Sequence, residues 1–173
     1  MISENFPLTL GGSPVTSEDH LLTKIENGIY MSSASVSYLI LHCSATRETQ
    51  DYTAEQLKHD HLARGFLDVG YHFYIRRDGT LTQHRRLNEV GAHCRPFNRC
   101  SIGICYEGGL DARGIPADTR TDAQKCSMAA LLRSLRLDYP DATIIGHRDL
   151  PGVKKACPCF DVKAWLPSIG LHR

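Results

Sequence analysis

Three residues far apart in the chain have side chains that bind metal ions of intermediate softness. His42 follows the apolar run Val36-Ser37-Tyr38-Leu39-Ile40-Leu41 and heads His42-Cys43-Ser44-Ala45-Thr46. His147 stands in Gly146-His147-Arg148-Asp149, and Cys157 follows ten positions later in Cys157-Pro158-Cys159-Phe160-Asp161, with Lys155 two positions before the thiol. Two imidazoles and one thiolate make a zinc site with three protein ligands and an open fourth position, the arrangement of a hydrolase and not of a closed structural site. Zinc held this way brings the pKa of a bound water to about 7 and so offers hydroxide at neutral pH.

These residues need elements that deliver them to one place. Val36 to Leu41 reads as a short strand of a buried sheet centre, with His42 at its end. Ala142 to Ile145 reads as a last central strand that delivers His147. If the two strands are neighbours, both imidazoles emerge at one sheet edge, and a loop containing Pro151, Gly152 and Pro158 can curl back with Cys157. Residues two apart in an extended loop point the same way, so Cys159 is an equal candidate on spacing, and a Cys-x-Cys chelate is a third.

Other segments complete a mixed order of elements. Thr53-Ala54-Glu55-Gln56 and Thr121-Asp122-Ala123-Gln124 read as capping boxes. The second opens a helix in which Met128, Leu131, Leu132 and Leu135 recur at helical spacing. Tyr71 to Ile75, Leu81 to His84 and Ser101 to Tyr106 read as strands, the first two joined by the turn Arg77-Asp78-Gly79-Thr80. Strands and helices interleave without a strict βαβ repeat, which predicts an α/β domain with a mixed central sheet flanked by helices. Residues 1–34, with Gly11-Gly12-Ser13-Pro14, read as a poorly ordered or loosely packed appendage, and 35–173 as the catalytic domain.

The chain of 173 residues fits one domain, and its net charge of +1 gives no bulk grip on nucleic acid or anionic membrane. No apolar stretch reaches the roughly 20 residues that span a bilayer. Glu4, Glu18, Asp19 and Glu26 leave no basic start and apolar core, so the reading is synthesis in the cytoplasm without a secretory signal. Seven cysteines, an odd number, favour free thiols and a metal over a disulfide framework. Cys105 and Cys126 lie on apolar-patterned segments and read as small core hydrophobes.

Several segments in order resemble the zinc-dependent N-acetylmuramoyl-L-alanine amidases, the family shared by the amidase-type bacteriophage lysozymes and the peptidoglycan recognition proteins. They are Leu41-His42-Cys43-Ser44-Ala45-Thr46, Leu67-Asp68-Val69-Gly70-Tyr71-His72-Phe73, Arg76-Arg77-Asp78-Gly79-Thr80, Ser101-Ile102-Gly103-Ile104-Cys105 and Lys155-Ala156-Cys157-Pro158-Cys159-Phe160-Asp161. The likeness runs from about Tyr38 to Trp165 and is closest to the phage lysozyme branch. It implies the family's single-domain fold, one Zn2+ per chain on His42, His147 and Cys157, and catalytic roles for Tyr71 and Lys155. It selects Cys157 over Cys159. The implied reaction is hydrolysis of the amide between the lactyl group of N-acetylmuramic acid and L-alanine, on peptidoglycan or muropeptides, by a monomer. The site of action is then the cell wall after lysis or export, or cytosolic muropeptides.

Against a cytoplasmic branch that trims muropeptides, this chain has Cys105 in place of a glutamate and Cys157 in place of an aspartate. The resemblance therefore leaves the general base open, and Glu107, two positions beyond Cys105 on the same strand face, is a candidate if the strand extends that far. His72 and His93 are the candidate substrate contacts, His93 because Gly91-Ala92-His93-Cys94 suits a cleft wall. A lone tyrosine on a strand is ordinarily core, and Phe73 and Ile75 share its face, so the likeness alone raises Tyr71 above packing. The alternative function is a peptidoglycan receptor of the same fold with weak catalysis. A sugar-cleaving enzyme would need a carboxylate pair, and the sequence presents no convincing one.

Overall fold

The computed structural model of the chain describes residues 9–10 and 31–172. Its strands are β1 (Thr9–Leu10), β2 (Tyr38–Cys43), β3 (Thr46–Arg47), β4 (Phe73–Ile75), β5 (Leu81–Gln83), β6 (Ser101–Tyr106), β7 (Gly109–Leu110) and β8 (Thr143–Gly146). Its α-helices are α1 (Ala54–Ala63), α2 (Asp122–Asp138) and the short α3 (Val162–Trp165). Six strands form one sheet in the order β1-β5-β4-β6-β2-β8, while β3 and β7 pair separately. Only the β4–β5 hairpin is antiparallel, so the sheet is mixed, as the interleaved order of elements predicts.

The central strands are apolar on both faces because both are covered. Leu39, Leu41, Ile102, Ile104 and Ile144 join Met128, Leu132 and Leu135 of α2 and Val162 of α3 in the main core. The opposite face carries Tyr74 and Cys105, packed with Tyr52, Val69 and Leu57 of α1. Strand alternation then places His42 on the face of Ile40, away from α2.

Thr121 caps α2 in a complete capping box, with Gln124 N–H donating to Thr121 Oγ1 and Thr121 N–H to Gln124 Oε1. The Gln124 amide also donates to the carbonyls of Glu107 at 2.8 Å and Ile75 at 3.2 Å, tying the helix start to the ends of β6 and β4. The box expected at Thr53 is half made. Thr53 accepts from Gln56 N–H, but the Gln56 amide donates forward to Asp60 Oδ1 at 2.8 Å.

Three details differ from the sequence reading. β2 begins and ends two residues late, after a 3-10 turn at Ser33–Ser35, so His42 lies inside the strand. β4 begins at Phe73, leaving Tyr71 and His72 ahead of it. Cys126, expected in the core, is exposed on α2. The appendage proposed for residues 1–34 falls, apart from 9–10 and 31–34, outside the described residues. Met31 itself is 8% exposed in the main core, and its N–H donates to Asn88 O at 2.8 Å.

Two buried histidines hold the turn before β4. His61 Nδ1 accepts from Gly70 N–H at 2.9 Å and His72 Nδ1 from Gly103 N–H at 3.0 Å. Burial is the main cause that lowers each imidazole to about 4. Both rings are therefore neutral in the fold and take up a proton on unfolding below about pH 6.5, their ordinary value. Their contribution is complete above that pH and is lost as pH falls through about 4. The midpoint of urea unfolding should hold steady from about pH 8 to pH 7 and fall progressively below about pH 6.5. A midpoint unchanged down to about pH 4.5 would contradict the neutral, buried assignment.

Candidate metal centre

β2 runs parallel to β8 with Leu41 opposite Gly146, so the next residues along the two chains are His42 and His147. His42 remains in the strand, whereas His147 opens a 3-10 turn, His147–Asp149. The chain then loops out and returns, closed by Arg148 N–H donating to Cys157 O at 2.7 Å. Cys43 N–H donates to Cys157 Sγ at 3.3 Å, so the strand backbone also fixes the thiol. The result brings one ligand atom each from His42, His147 and Cys157 within 4.8 Å of one another. Cys157 Sγ lies 3.8 Å from His42 Nδ1, and the two imidazoles stack obliquely with centroids 4.6 Å apart.

Cys159 does not join them. Its backbone adopts φ +68°, so the loop is not extended there and the two thiols diverge. Cys159 Sγ lies 3.7 Å from Cys43 Sγ instead. A simple two-residue alternation fails at this turn.

The protonation states suit a cation. Burial, followed by the neighbouring His93, His147 and Lys155, holds His42 well below the ordinary histidine value. Burial and then Lys155 lower His147. At Cys157 a hydrogen bond from the Cys43 thiol, joined by the Cys43 N–H and the Lys155 charge, lowers the thiol against the opposing effect of burial. Lys155 is exposed on the loop, yet its charge reaches both histidines and the thiol. Tyr71 packs beside the centre with its ring centroid 5.2 Å from that of His42, and burial raises its phenol well above the ordinary value.

Two expected residues take other roles. His72 is fully buried, with Nε2 bonded to Glu89 O at 2.7 Å and Nδ1 to Gly103 N–H, so neither ring nitrogen is left for a substrate. Glu107 is likewise fully buried and is not placed as a base. Its Oε1 accepts from Tyr52 N–H at 2.6 Å, and its Oε2 accepts from Arg76 Nε at 2.7 Å and Arg77 N–H at 3.0 Å. Arg76 therefore anchors this carboxylate and also pairs with Asp51.

His93 does line a cavity of about 870 Å³, together with Arg64, Phe66, Leu67, Arg95 and Arg99. The sequence reading missed what its ring touches: His93 Nδ1 lies 3.0 Å from His42 Nε2. It also missed Cys43, which follows a ligand histidine directly but carries no spacing signal of its own.

Two histidines at the ends of neighbouring parallel strands of a mixed sheet, with a thiol on the loop that returns to them, make a candidate metal centre. The family model described as N-acetylmuramoyl-L-alanine amidase matches residues 32–160, and the chain belongs to that family of peptidoglycan amidases. The chain is 43% identical to the endolysin of Klebsiella phage KP32 over 75% of its own length and 84% of the relative's. It is 40% identical to the endolysin of Escherichia phage T7 over 76% and 85% of the two chains. Among solved structures it is similar to the N-acetylmuramoyl-L-alanine amidase LysC from Clostridium intestinale, with TM-score 0.68, 25% identity and coverage of 86% of this chain and 95% of that one.

The separation of the two thiols gives a direct expectation. Cys157→Ser should lose most bound metal after dialysis, because two histidines alone hold a divalent ion poorly. Cys159→Ser should keep about one equivalent. Metal analysis showing the reverse would move the ligand to Cys159.

Proposed function

We propose that the chain is a zinc amidase of the bacterial cell wall, with one Zn2+ per chain held by His42, His147 and Cys157. The observation that carries this reading is the convergence of those three donors at one sheet edge. In a tetrahedral site with Zn–N of about 2.0–2.1 Å and Zn–S of about 2.3 Å, nitrogen and sulfur stand about 3.5 Å apart. The 3.8 Å from His42 Nδ1 to Cys157 Sγ is close to that span, and with all three donor atoms within 4.8 Å of one another the donor set suits the ion. Its two neighbouring imidazoles and single thiol are a zinc donor set with one position left for the reaction.

Zinc in such a site supplies Lewis acidity and a water ionised near neutral pH. The chain's own residues do the rest. The Lys155 ammonium, carried on the loop that supplies the thiol, donates to the amide oxygen where negative charge grows. The Tyr71 phenol, kept protonated by burial, donates a hydrogen bond at the same centre or a proton to the departing alanine amine. Arg64, Arg95 and Arg99 bring positive charge to the cavity that His93 also lines, which suits the carboxylates of a peptide stem. His93 contributes to this substrate wall.

The endolysin relatives support cell-wall lysis as the role, with peptidoglycan as the partner. No helix among the described residues is long and apolar enough to cross a membrane. The catalytic unit works as a monomer. The retained Cys157 thiol argues against the receptor reading, which has no need of a third ligand.

A digest of purified peptidoglycan tests the reaction. New amino groups should appear without new reducing sugars, and the opposite pattern would make the enzyme a glycosidase. Lys155→Ala should keep its zinc and lose turnover by about 10²–10³, as removal of one preorganised oxyanion donor does elsewhere. Turnover near the parent rate would make Lys155 an ordinary surface charge.

A further inference from the structure

A neutral imidazole carries one ring proton, and a metal ligand must leave the coordinating nitrogen bare. At His42 the nitrogen near Cys157 is Nδ1, so the proton belongs on Nε2. His42 Nε2 lies 3.0 Å from His93 Nδ1, with the rings nearly perpendicular at 84°. That contact fixes the His42 proton only if His93 Nδ1 is itself bare.

The hydrogen bonds behind His93 decide this. Ser101 Oγ donates to Phe97 O at 2.7 Å and so uses its only proton on a carbonyl that can never donate. Ser101 Oγ faces His93 Nε2 at 3.4 Å with lone pairs alone, and His93 Nε2 must be the donor there. His93 Nδ1 then has no proton and accepts from His42 Nε2–H. The polarity runs from a backbone carbonyl through Ser101 and His93 to His42, with each ring nitrogen in a single role.

The His93 ring is also held in place. An added Cβ at Gly91 would come within 2.5 Å of the ring and one at Gly103 within 2.6 Å, so the two glycines form a slot that larger residues would close. Asn98 Oδ1 accepts from the N–H groups of His93 at 3.0 Å and Cys94 at 2.7 Å, which anchors the backbone carrying the ring.

We propose that His93, with Ser101 behind it, is the positioning residue that sets the tautomer and orientation of His42 for metal binding. This rests on the zinc reading above. Outer hydrogen-bond partners of ligand histidines raise metal affinity in this way, and their loss lowers it by about 10–100-fold. With both ring nitrogens engaged, His93 offers a substrate only its carbon edge.

The test compares the parent protein with His93→Leu and His93→Asn. Leucine fills the slot without an acceptor, whereas the asparagine amide oxygen can occupy the position of Nδ1. Zinc affinity is measured by competition with a chromophoric chelator, and the His42 tautomer by ¹⁵N NMR of the metal-free protein. His93→Leu should bind zinc about 10–100-fold more weakly and lose the preference for Nε2–H, while His93→Asn should recover most of both. Parent-like affinity and tautomer in His93→Leu would overturn the proposal, as would equal loss in both variants with the tautomer unchanged. If His93→Leu does not fold, Ser101→Ala removes the acceptor behind His93. A weakened Nε2–H preference there supports the relay, and an unchanged one overturns it. Failure of the parent to bind zinc would remove the zinc reading, while the tautomer comparison would still decide the role of His93.

Discussion

The register between β2 and β8 is the constraint on which the site depends. These strands are parallel, and Leu41 pairs with Gly146, which puts His42 and His147 side by side where the strands end. A slip of one residue would turn the side chains of one strand to the opposite face and separate the imidazoles. The apolar residues forbid it. Leu39 and Ile144 point into one core while Ile40 and Ile145 pack in another, so each strand is committed on both faces. The geometry of the metal centre is therefore inherited from hydrophobic packing several residues away.

Closure of the loop from His147 to Cys157 adds the third donor. Its ends are tied by Arg148 N–H to Cys157 O, and its thiol by Cys43 N–H. The same strand residue that follows the first ligand thus holds the third. Lys155 travels with this loop, so a cation and a thiol reach the centre together, and the cation favours the deprotonated forms of both Cys157 and His147. Glu107 performs a comparable task in the scaffold, where one buried carboxylate joins Arg76 and the Arg77 and Tyr52 amides. Once buried, such a carboxylate is costly to leave unpaired, so its donors commit it to holding the scaffold rather than to the reaction.

Much of this was legible from residue types and spacing. The β6 span, the α2 cap and the neighbouring strands carrying His42 and His147 follow from local patterns that tertiary packing reinforces. What was not legible depends on turns and on contacts between distant segments. Cys159 itself adopts a left-handed backbone conformation, which turns it away from Cys157 and which spacing does not reveal. His72 sits ahead of its strand with both nitrogens bonded to backbone groups, which no periodicity shows. The contact of His93 with His42 spans 51 positions and becomes visible only when β6 lies beside β2.

X-ray absorption at the zinc edge, paired with anomalous diffraction from the zinc-loaded protein, tests the central claim most directly. The account predicts one ion at the ends of β2 and β8, with two nitrogens at about 2.0–2.1 Å from His42 and His147, one sulfur at about 2.3 Å from Cys157, and a fourth light-atom ligand. A shell with two or more sulfurs, or an ion seated between Cys43 and Cys159, would contradict it.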